Sequence, residues 1–341
     1  MAGKLKVAAV GVGHLGQHHA RIYAGLQTVE LVAVVDTDEE ALSAVSARTG
    51  APGFRDYRQI IDKVDAASIA VPTVSHYGIA RDFLEAGKSV LIEKPMTTAL
   101  SDARSLVELA ERRKAVLQVG HIERFNPAYM AIKKYKVQPK FIEVHRLSPF
   151  KFRSADIGVV LDLMIHDIDV LLSLVASPVE RIDAVGFNVL GRHEDIANAR
   201  VTFQDGCVAN LTASRVAVKN MRKLRVFSSD CYISLDYGAK KGVVYWKSPG
   251  LRLDQLTQKP HGKGDITDLA GHDFGELVKM EPIQIEDHEP LAKEIESFVN
   301  CVVTGTAPVV GGREALTALE LADAILKSIA GHKWHPQPGN S

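Results

Sequence analysis

Cysteine is the scarcest informative residue in this chain: Cys207, Cys231 and Cys301 are its only three, scattered through 341 residues. No CxxC and no adjacent Cys/His pairing occurs, which excludes a disulfide framework and predicts no metal centre. Net charge is also missing, since 41 Lys and Arg balance 41 Asp and Glu. Without bulk charge there is no global attraction to nucleic acid or an anionic membrane, so any ligand must be recognised locally. Long apolar runs are absent too. The best candidate, Val159 to Leu172, is interrupted by Asp162, His166, Asp167 and Asp169, and a bilayer span needs roughly 18 apolar residues. The first residues, Met1 to Lys6, lead straight into a strand-like run with no signal-peptide pattern. These absences predict a cytoplasmic protein with a small-molecule partner, no nucleic-acid partner and no membrane insertion.

What is present is a βα alternation. Leu5–Val10, Leu31–Val35, Ala67–Val71, Val90–Ile92 and Val116–Val119 are apolar runs without period-2 patterning, as in strands covered on both faces. Helical patterns fall between them at 14–26, 38–48, 75–86 and 101–113. Asp38 and Ser101 stand as N-caps, and Gly87 closes the third helix. This predicts an α/β Rossmann domain with a doubly wound parallel sheet over residues 1–122. After one long helix at 158–175 the period changes. Ala199, Val201 and Phe203 alternate with polar residues, turn at Asp205-Gly206 and return through Ala209, Leu211 and Ala213; Cys231, Ile233 and Leu235 repeat the pattern. A second, α+β domain with a mainly antiparallel open sheet is expected over 123–310. Helices near 289–303 and 312–330 follow a long excursion at 248–281. The C-terminal helix and tail, 311–341, are expected to pack back on the Rossmann domain.

Gly11-Val12-Gly13-His14-Leu15-Gly16 fits G-x-G-x-x-G between the first strand and first helix. Gly11 permits the tight turn, Gly13 lets backbone approach a pyrophosphate, and Gly16 lets helix and strand pack closely. The helix N-terminus then faces the phosphate charge. Asp36 ends the second strand about 20 residues beyond, where a carboxylate accepts from ribose hydroxyls and repels a 2′-phosphate. No arginine adjoins it in sequence, so NAD is the expected cofactor. Asp38 competes for the ribose but suits the helix cap better.

Glu93-Lys94-Pro95 follows the strand ending at Ile92. Ligands of open α/β sheets sit beyond the carboxyl ends of strands, where Lys94 can reach a cofactor; a solvated Glu–Lys pair is the alternative. In the 158–175 helix, Asp162, His166 and Asp169 share one face among almost wholly apolar neighbours. Ionisable groups there must line a cavity or pair with each other. Two readings stay open: a structural Asp–His pair, or a proton-transfer dyad in which Asp162 orients His166.

Together, the glycine turn, Asp36, Glu93-Lys94-Pro95, Arg124-Phe125-Asn126-Pro127 and Asp162-x-x-x-His166 resemble the Gfo/Idh/MocA oxidoreductase family across almost the whole chain. The resemblance implies NAD-dependent transfer of hydride from a sugar or cyclitol hydroxyl. It implies a catalytic set of Lys94, Asp162 and His166. Gly11, Gly13, His14, Leu15, Gly16, Asp36, Thr73, His76, Glu93 and Lys94 would line the cofactor. Arg124, Asn126, Arg153, Asp162 and His166 would meet substrate. One departure is Asp156-Ile157-Gly158, where a glycine pair usually precedes the catalytic helix. The stretch from Arg146 to Arg153 is similar to the branch that oxidises UDP-linked N-acetylated amino sugars at the 3-hydroxyl, a step of lipid A amino-sugar synthesis. Arg124, Arg146, Lys151 and Arg153 offer cations for a diphosphate, though each also suits a solvated surface. Asn126 serves equally as a helix cap. Two rivals remain: a dehydrogenase of free sugars or inositol, and a non-enzymatic dinucleotide sensor or repressor. The unperturbed imidazole pKa of about 6.5 predicts oxidation that gains rate through that pH. The antiparallel sheet predicts a homo-oligomer, a dimer or tetramer, and the tail histidines His332 and His335 are taken as a solvated end.

Overall fold

A computed structural model describes residues 3–150, 157–247 and 278–333. Ten elements build the first domain in alternation: β1 (Leu5–Val10), α1 (Gly16–Gly25), β2 (Val29–Val35), α2 (Glu39–Thr49), the two-residue β3 (Gly53–Phe54), β4 (Ala66–Ile69), α3 (His76–Glu85), β5 (Ser89–Glu93), α4 (Leu100–Arg113) and β6 (Leu117–Gly120). The sheet is parallel throughout, in the order β3-β2-β1-β4-β5-β6. Its apolar runs are buried on both faces, which is why they show no alternation. The chain leaves β1 toward one edge and later returns to β4 on its other side. That reversal opens a crevice at the carboxyl ends of β1 and β4.

Local chemistry sets the helix ends. The Asp38 carboxylate accepts from the N–H groups of Glu40 and Ala41 at 3.0 and 3.2 Å, capping α2. Gly87, at φ +72°, closes α3 with its N–H on the Leu84 carbonyl. Ser101 does not cap α4: the helix starts one residue earlier, so Ser101 lies inside its first turn.

The second domain is an eight-stranded sheet of β7 (Phe141–Leu147), β8 (Val179–Phe187), β9 (Ile196–Phe203), β10 (Val208–Ser214), β11 (Met221–Phe227), β12 (Cys231–Asp236), β13 (Lys241–Lys247) and β14 (Val278–Pro282). The order is β14-β13-β12-β11-β7-β10-β9-β8. Every pair is antiparallel except β7 with β10, because the chain passes through a helix and two strands before β10 returns beside β7. The alternating residues 197–203 and 209–213 bury their apolar set against α6 (Ile165–Leu174), and Gly206 makes the expected turn at φ +84°.

Two differences from the expected organisation follow from packing. Helix α7 (Pro290–Thr304), past the short α5 (Pro127–Ile132), buries Leu291, Ile295 and Phe298 against Val7, Ile22 and Tyr23. By its core it joins the first domain, although the sequence reading placed it within 123–310. Helix α8 (Gly312–Gly331) serves both domains, with Ala315 and Leu319 in the first core and Ala318, Leu321 and Ile325 in the second.

Candidate active site

The glycine turn has the geometry a dinucleotide needs. Gly11 sits at φ +81°, and a Cβ there would lie 2.8 Å from the backbone of Ala70. A Cβ on Gly16 would lie 1.7 Å from the Gly11 carbonyl oxygen, so both glycines are demanded by the protein's own packing. Gly13 is different: nothing lies within 4 Å of its Cβ position, which leaves space for a ligand. His14 and Leu15 are exposed beside it. The first turn of α1 carries no acidic residue and no side-chain cap, so the positive end of the helix is left to an anion.

Asp36 is tied to this turn. One carboxylate oxygen accepts from the Val12 N–H at 2.7 Å and the other from the Asp38 N–H at 3.0 Å. Its remaining lone pairs suit ribose hydroxyls. Arg55, distant in sequence, reaches the neighbouring Thr37 carbonyl at 3.5 Å and pairs with Glu39 at 3.6 Å. These residues fit NAD. Thr73 opens the short helical turn before α3, part-exposed. His76 does not present its ring to a cofactor. The imidazole is buried, with Nδ1 at 3.0 Å from the Pro95 carbonyl and Nε2 at 2.9 Å from that of Val71. It staples the Val71–His76 loop to the loop after β5, and burial lowers its pKa below the ordinary 6.5. The Lys94–Pro95 peptide is cis.

Glu93 and Lys94 leave β5 in different directions. The Glu93 carboxylate meets His19 of α1 at 3.0 Å and lies over Gly120, where a Cβ would come within 2.8 Å of it. Burial alone would raise the Glu93 carboxyl, but the His19 bond and Lys94 bring it below the usual range. Lys94 extends the other way. Its ammonium donates to the Asp162 carbonyl at 2.6 Å and to the Asp162 carboxylate at 3.3 Å. Burial lowers the Lys94 pKa, partly offset by Asp162 and Glu93.

The long helix predicted at 158–175 contains a π-helical segment, Val160–Met164, that precedes α6. Such irregularities accompany functional sites because they redirect backbone groups; here the redirected residue is Asp162. Two side chains hold the start of this helix. The Glu194 carboxylate accepts from the Val160 N–H at 3.1 Å and lies over Gly158, where a Cβ would come within 2.0 Å and push it away. Arg215 donates to the Ile157 carbonyl at 2.6 Å and to Asp195 at 2.7 Å. Burial opposes ionisation of Asp195, yet bonds from Leu190, Arg215, Val189 and Gly191 hold its pKa at about 2.

His166 lies one turn on, half-buried, with Nδ1 buried and without a hydrogen-bond partner among the described residues. The expected Asp162–His166 bond is absent among the described residues: Asp162 is engaged with Lys94 instead. The imidazole is kept neutral by other means. Burial lowers its pKa well below 6.5, and the positive charges of Lys94 and Arg146 push it further in the same direction. The third residue of the face, Asp169, pairs with Arg124 at 3.2 Å.

Other expected substrate contacts are committed elsewhere. The Asn126 carbonyl oxygen caps α5 on the Ala128 N–H at 3.0 Å, and its amide donates to Glu123 at 3.0 Å. Arg146 is buried, forked onto Asp167 at 2.7 Å and onto Glu123 at 2.9 Å; it is a core ion pair, not a surface cation. Lys151, Arg153, Asp156 and His335 lie outside the described residues. The sequence reading passed over His121 and Arg222, whose charges act on His166. His121 directly follows β6, at a strand end where ligands gather, so its position was a usable signal. Arg222 had none, because only the β7·β11 register brings it opposite Arg146.

A dinucleotide crevice beside a part-buried lysine–carboxylate pair and a neutral imidazole defines an NAD-dependent dehydrogenase acting on a CH–OH group. Comparison with known proteins agrees. Residues 5–121 match the oxidoreductase family model with an NAD-binding Rossmann fold, and residues 137–234 match the GFO/IDH/MocA C-terminal domain. The chain belongs to the Gfo/Idh/MocA oxidoreductase family. It is 34% identical over 319 residues to UDP-N-acetylglucosamine 3-dehydrogenase of Acidithiobacillus ferrooxidans, covering 92% of this chain and 95% of that one. A solved structure of that enzyme superposes with a TM-score of 0.84 at 32% identity, covering 96% and 98% of the two chains. Inositol 2-dehydrogenase of Rhizobium meliloti is 25% identical over 340 residues, covering 96% and 97%.

Proposed function

We propose that this protein oxidises the 3-hydroxyl of UDP-N-acetylglucosamine, or of a closely similar UDP-N-acetylated amino sugar, using NAD. The observation that carries the chemistry is the Lys94 ammonium fixed on Asp162 beside the neutral His166. His166 takes the hydroxyl proton as general base. Lys94 donates a hydrogen bond to the oxygen as negative charge develops there, a service worth most where water is excluded. Asp162 keeps that ammonium protonated and aimed. Bound NAD supplies the acceptor for the hydride that leaves the sugar carbon. Support for the UDP-sugar comes from the 34% identical relative over nearly its full length.

With Arg124 and Arg146 committed to carboxylates, recognition of the diphosphate falls, among the described residues, to Arg222. Its side chain is 53% exposed, with only a 3.7 Å contact to Glu123. Arg153 remains a candidate on the adjoining segment. The product, a 3-keto sugar, suits an aminotransferase, consistent with a cytoplasmic role in lipid A amino-sugar synthesis. No helix among the described residues is long and apolar enough to cross a membrane.

The protein also assembles as a homo-oligomer in this reading. On the sheet face away from α6, Phe141, Phe227, Tyr232 and Tyr245 stand in register on four strands, with ring centroids 5.8, 4.5 and 5.2 Å apart. Met280, 62% exposed, continues the row opposite Tyr245. A second copy is the occupant suited to cover it.

The test is a panel of UDP-sugars, inositols and hexoses followed by NADH absorbance. UDP-N-acetylglucosamine is expected to reduce NAD⁺ while uncharged polyols stay inert. Turnover of inositol with indifference to UDP-sugars would replace this reading with a cyclitol dehydrogenase, as the 25% identical relative is.

A further inference from the structure

The helix that carries Asp162 begins without a cap of its own. Val159, at the head of the π-helical segment, has no side chain that could accept a hydrogen bond. Yet Val159 and Val160 are both 0% exposed, and buried N–H groups at a helix start need acceptors. A residue 34 positions beyond Val160 provides them. The Glu194 carbonyl accepts from the Val159 N–H at 2.9 Å, and the Glu194 carboxylate accepts from the Val160 N–H at 3.1 Å. That carboxylate lies over Gly158, whose own carbonyl accepts from the Asp162 N–H at 3.0 Å. Glu194 is therefore one residue removed, through hydrogen bonds, from the carboxylate that holds Lys94.

Glu194 is itself anchored. Its neighbour Asp195, 0% exposed, accepts at one oxygen from the N–H groups of Val189, Leu190 and Gly191, at 2.7, 2.6 and 3.3 Å. The other oxygen accepts from Arg215 Nε at 2.7 Å. Backbone bonds lace the same segments together: the Asp195 N–H reaches the Phe187 carbonyl at 2.8 Å, and the Arg215 N–H reaches the Asp195 carbonyl at 2.9 Å. Arg215 then returns to the helix start, donating to the Ile157 carbonyl at 2.6 Å. A carboxylate gripped by four donors, one of them charged, is a rigid base for what stands on it. The end of β8, the start of β9 and the residue after β10 thus form one frame around residues 157–160.

We propose that Glu194 and Arg215 are positioning residues for the oxidation: through the backbone at 157–160 they set where Asp162 stands, and so where the Lys94 ammonium points. Lys94 bonds both the carbonyl and the carboxylate of Asp162, at 2.6 and 3.3 Å, so a slip of the helix start spoils both contacts together. Misplacement by about 1 Å from a change remote from the chemistry can cost on the order of 10²-fold in rate.

This role rests on the dehydrogenase reading, and the test separates the two. Glu194→Ala removes the acceptor for Val160, whereas Glu194→Gln keeps an oxygen there. With UDP-N-acetylglucosamine and NAD⁺, kcat of Glu194→Ala should fall about 10-fold to 100-fold, with KM for NAD⁺ nearly unchanged. Glu194→Gln should recover most of the loss. Asp162 raises the Lys94 pKa, so the alkaline limb of kcat should move to lower pH in Glu194→Ala and stay in place in Glu194→Gln. A purely structural role would lower the melting temperature without moving that limb. Arg215→Lys keeps a charge for Asp195 but lacks the fork that also reaches Ile157, and should shift kcat and the limb in the same direction if Glu194→Ala does not fold. Without any substrate, NMR of protein carrying 15N-labelled lysine, with Lys94 assigned by Lys94→Arg, should show Lys94 titrating at lower pH in Glu194→Ala. An unmoved Lys94 titration, or equal loss in Glu194→Ala and Glu194→Gln, overturns the proposal. A wild type inert toward UDP-N-acetylglucosamine, with the Lys94 titration shifted as expected, counts against the substrate and not against the frame.

Discussion

The ammonium of Lys94 and the residue Asp162, 68 positions apart, meet twice: at the backbone carbonyl, 2.6 Å, and at the carboxylate, 3.3 Å. The carbonyl contact depends on the π-helical segment and the carboxylate contact on charge, so the two partners fail differently. Lys94→Ala should lose on the order of 10²-fold to 10⁴-fold in kcat while NAD still binds, by quenching of intrinsic fluorescence. Asp162→Asn removes a group that raises the Lys94 pKa. The alkaline limb of its kcat profile should therefore move to lower pH than in the wild type.

His166 should give an acid limb well below pH 6.5. Burial and neighbouring cations lower its pKa, so it is a neutral, competent base at pH values where an exposed histidine is half protonated. This replaces the rise near 6.5 expected from an unperturbed imidazole. The same shift has a stability consequence. With a folded pKa below the unfolded one, His166 makes the unfolded chain bind more protons as pH falls through 6.5 and below, so its contribution is full above 6.5 and is lost on acidification. The raised pKa values of Asp167 and Asp169 act in the opposite sense. The readout is thus a difference: the melting temperature of His166→Asn should fall less between pH 7 and 5.5 than that of the wild type.

Asp36 should govern cofactor choice. Its carboxylate serves the Val12 and Asp38 N–H groups and leaves lone pairs for a ribose diol. Asp36→Ser should weaken NAD⁺ by about 1.5–3 kcal/mol, as for hydrogen bonds to a charged group. Relative use of NADP⁺ should rise, with Arg55 near enough to meet a 2′-phosphate. Steady-state kcat/KM with both dinucleotides measures this.

Arg146 should matter to stability before substrate binding. It is forked onto Asp167 and bonded to Glu123, all nearly inaccessible to solvent. Arg146→Ala strands two buried carboxylates and should cost about 3–5 kcal/mol, measured by urea unfolding.

Tyr232 sits at the centre of the part-exposed aromatic row, between Phe227 and Tyr245. Tyr232→Glu places a charge there and should shift the protein to a smaller species by light scattering, with its circular dichroism retained.

The order of elements in the first domain, the glycine turn, Asp36, the Asp38 cap and the β9–β10 hairpin could all be read from the sequence. Each rests on local rules: continuous burial of a parallel strand, φ above zero at a turn, a carboxylate three residues ahead of free N–H groups. The three residues proposed for catalysis were legible too, as ionisable residues on an otherwise apolar helix and at a strand end. Its wiring was not. Pattern alone joined Asp162 to His166 because they lie one turn apart, whereas the fold brings Lys94 across 68 positions to claim Asp162. Likewise, His76 and Asn126 are spent on loops and caps, and Arg222 is brought opposite Arg146 from a strand remote in sequence. Sequence periodicity reports which face of an element avoids water; which buried polar groups then meet depends on how two domains close on each other, and only the tertiary structure decides that.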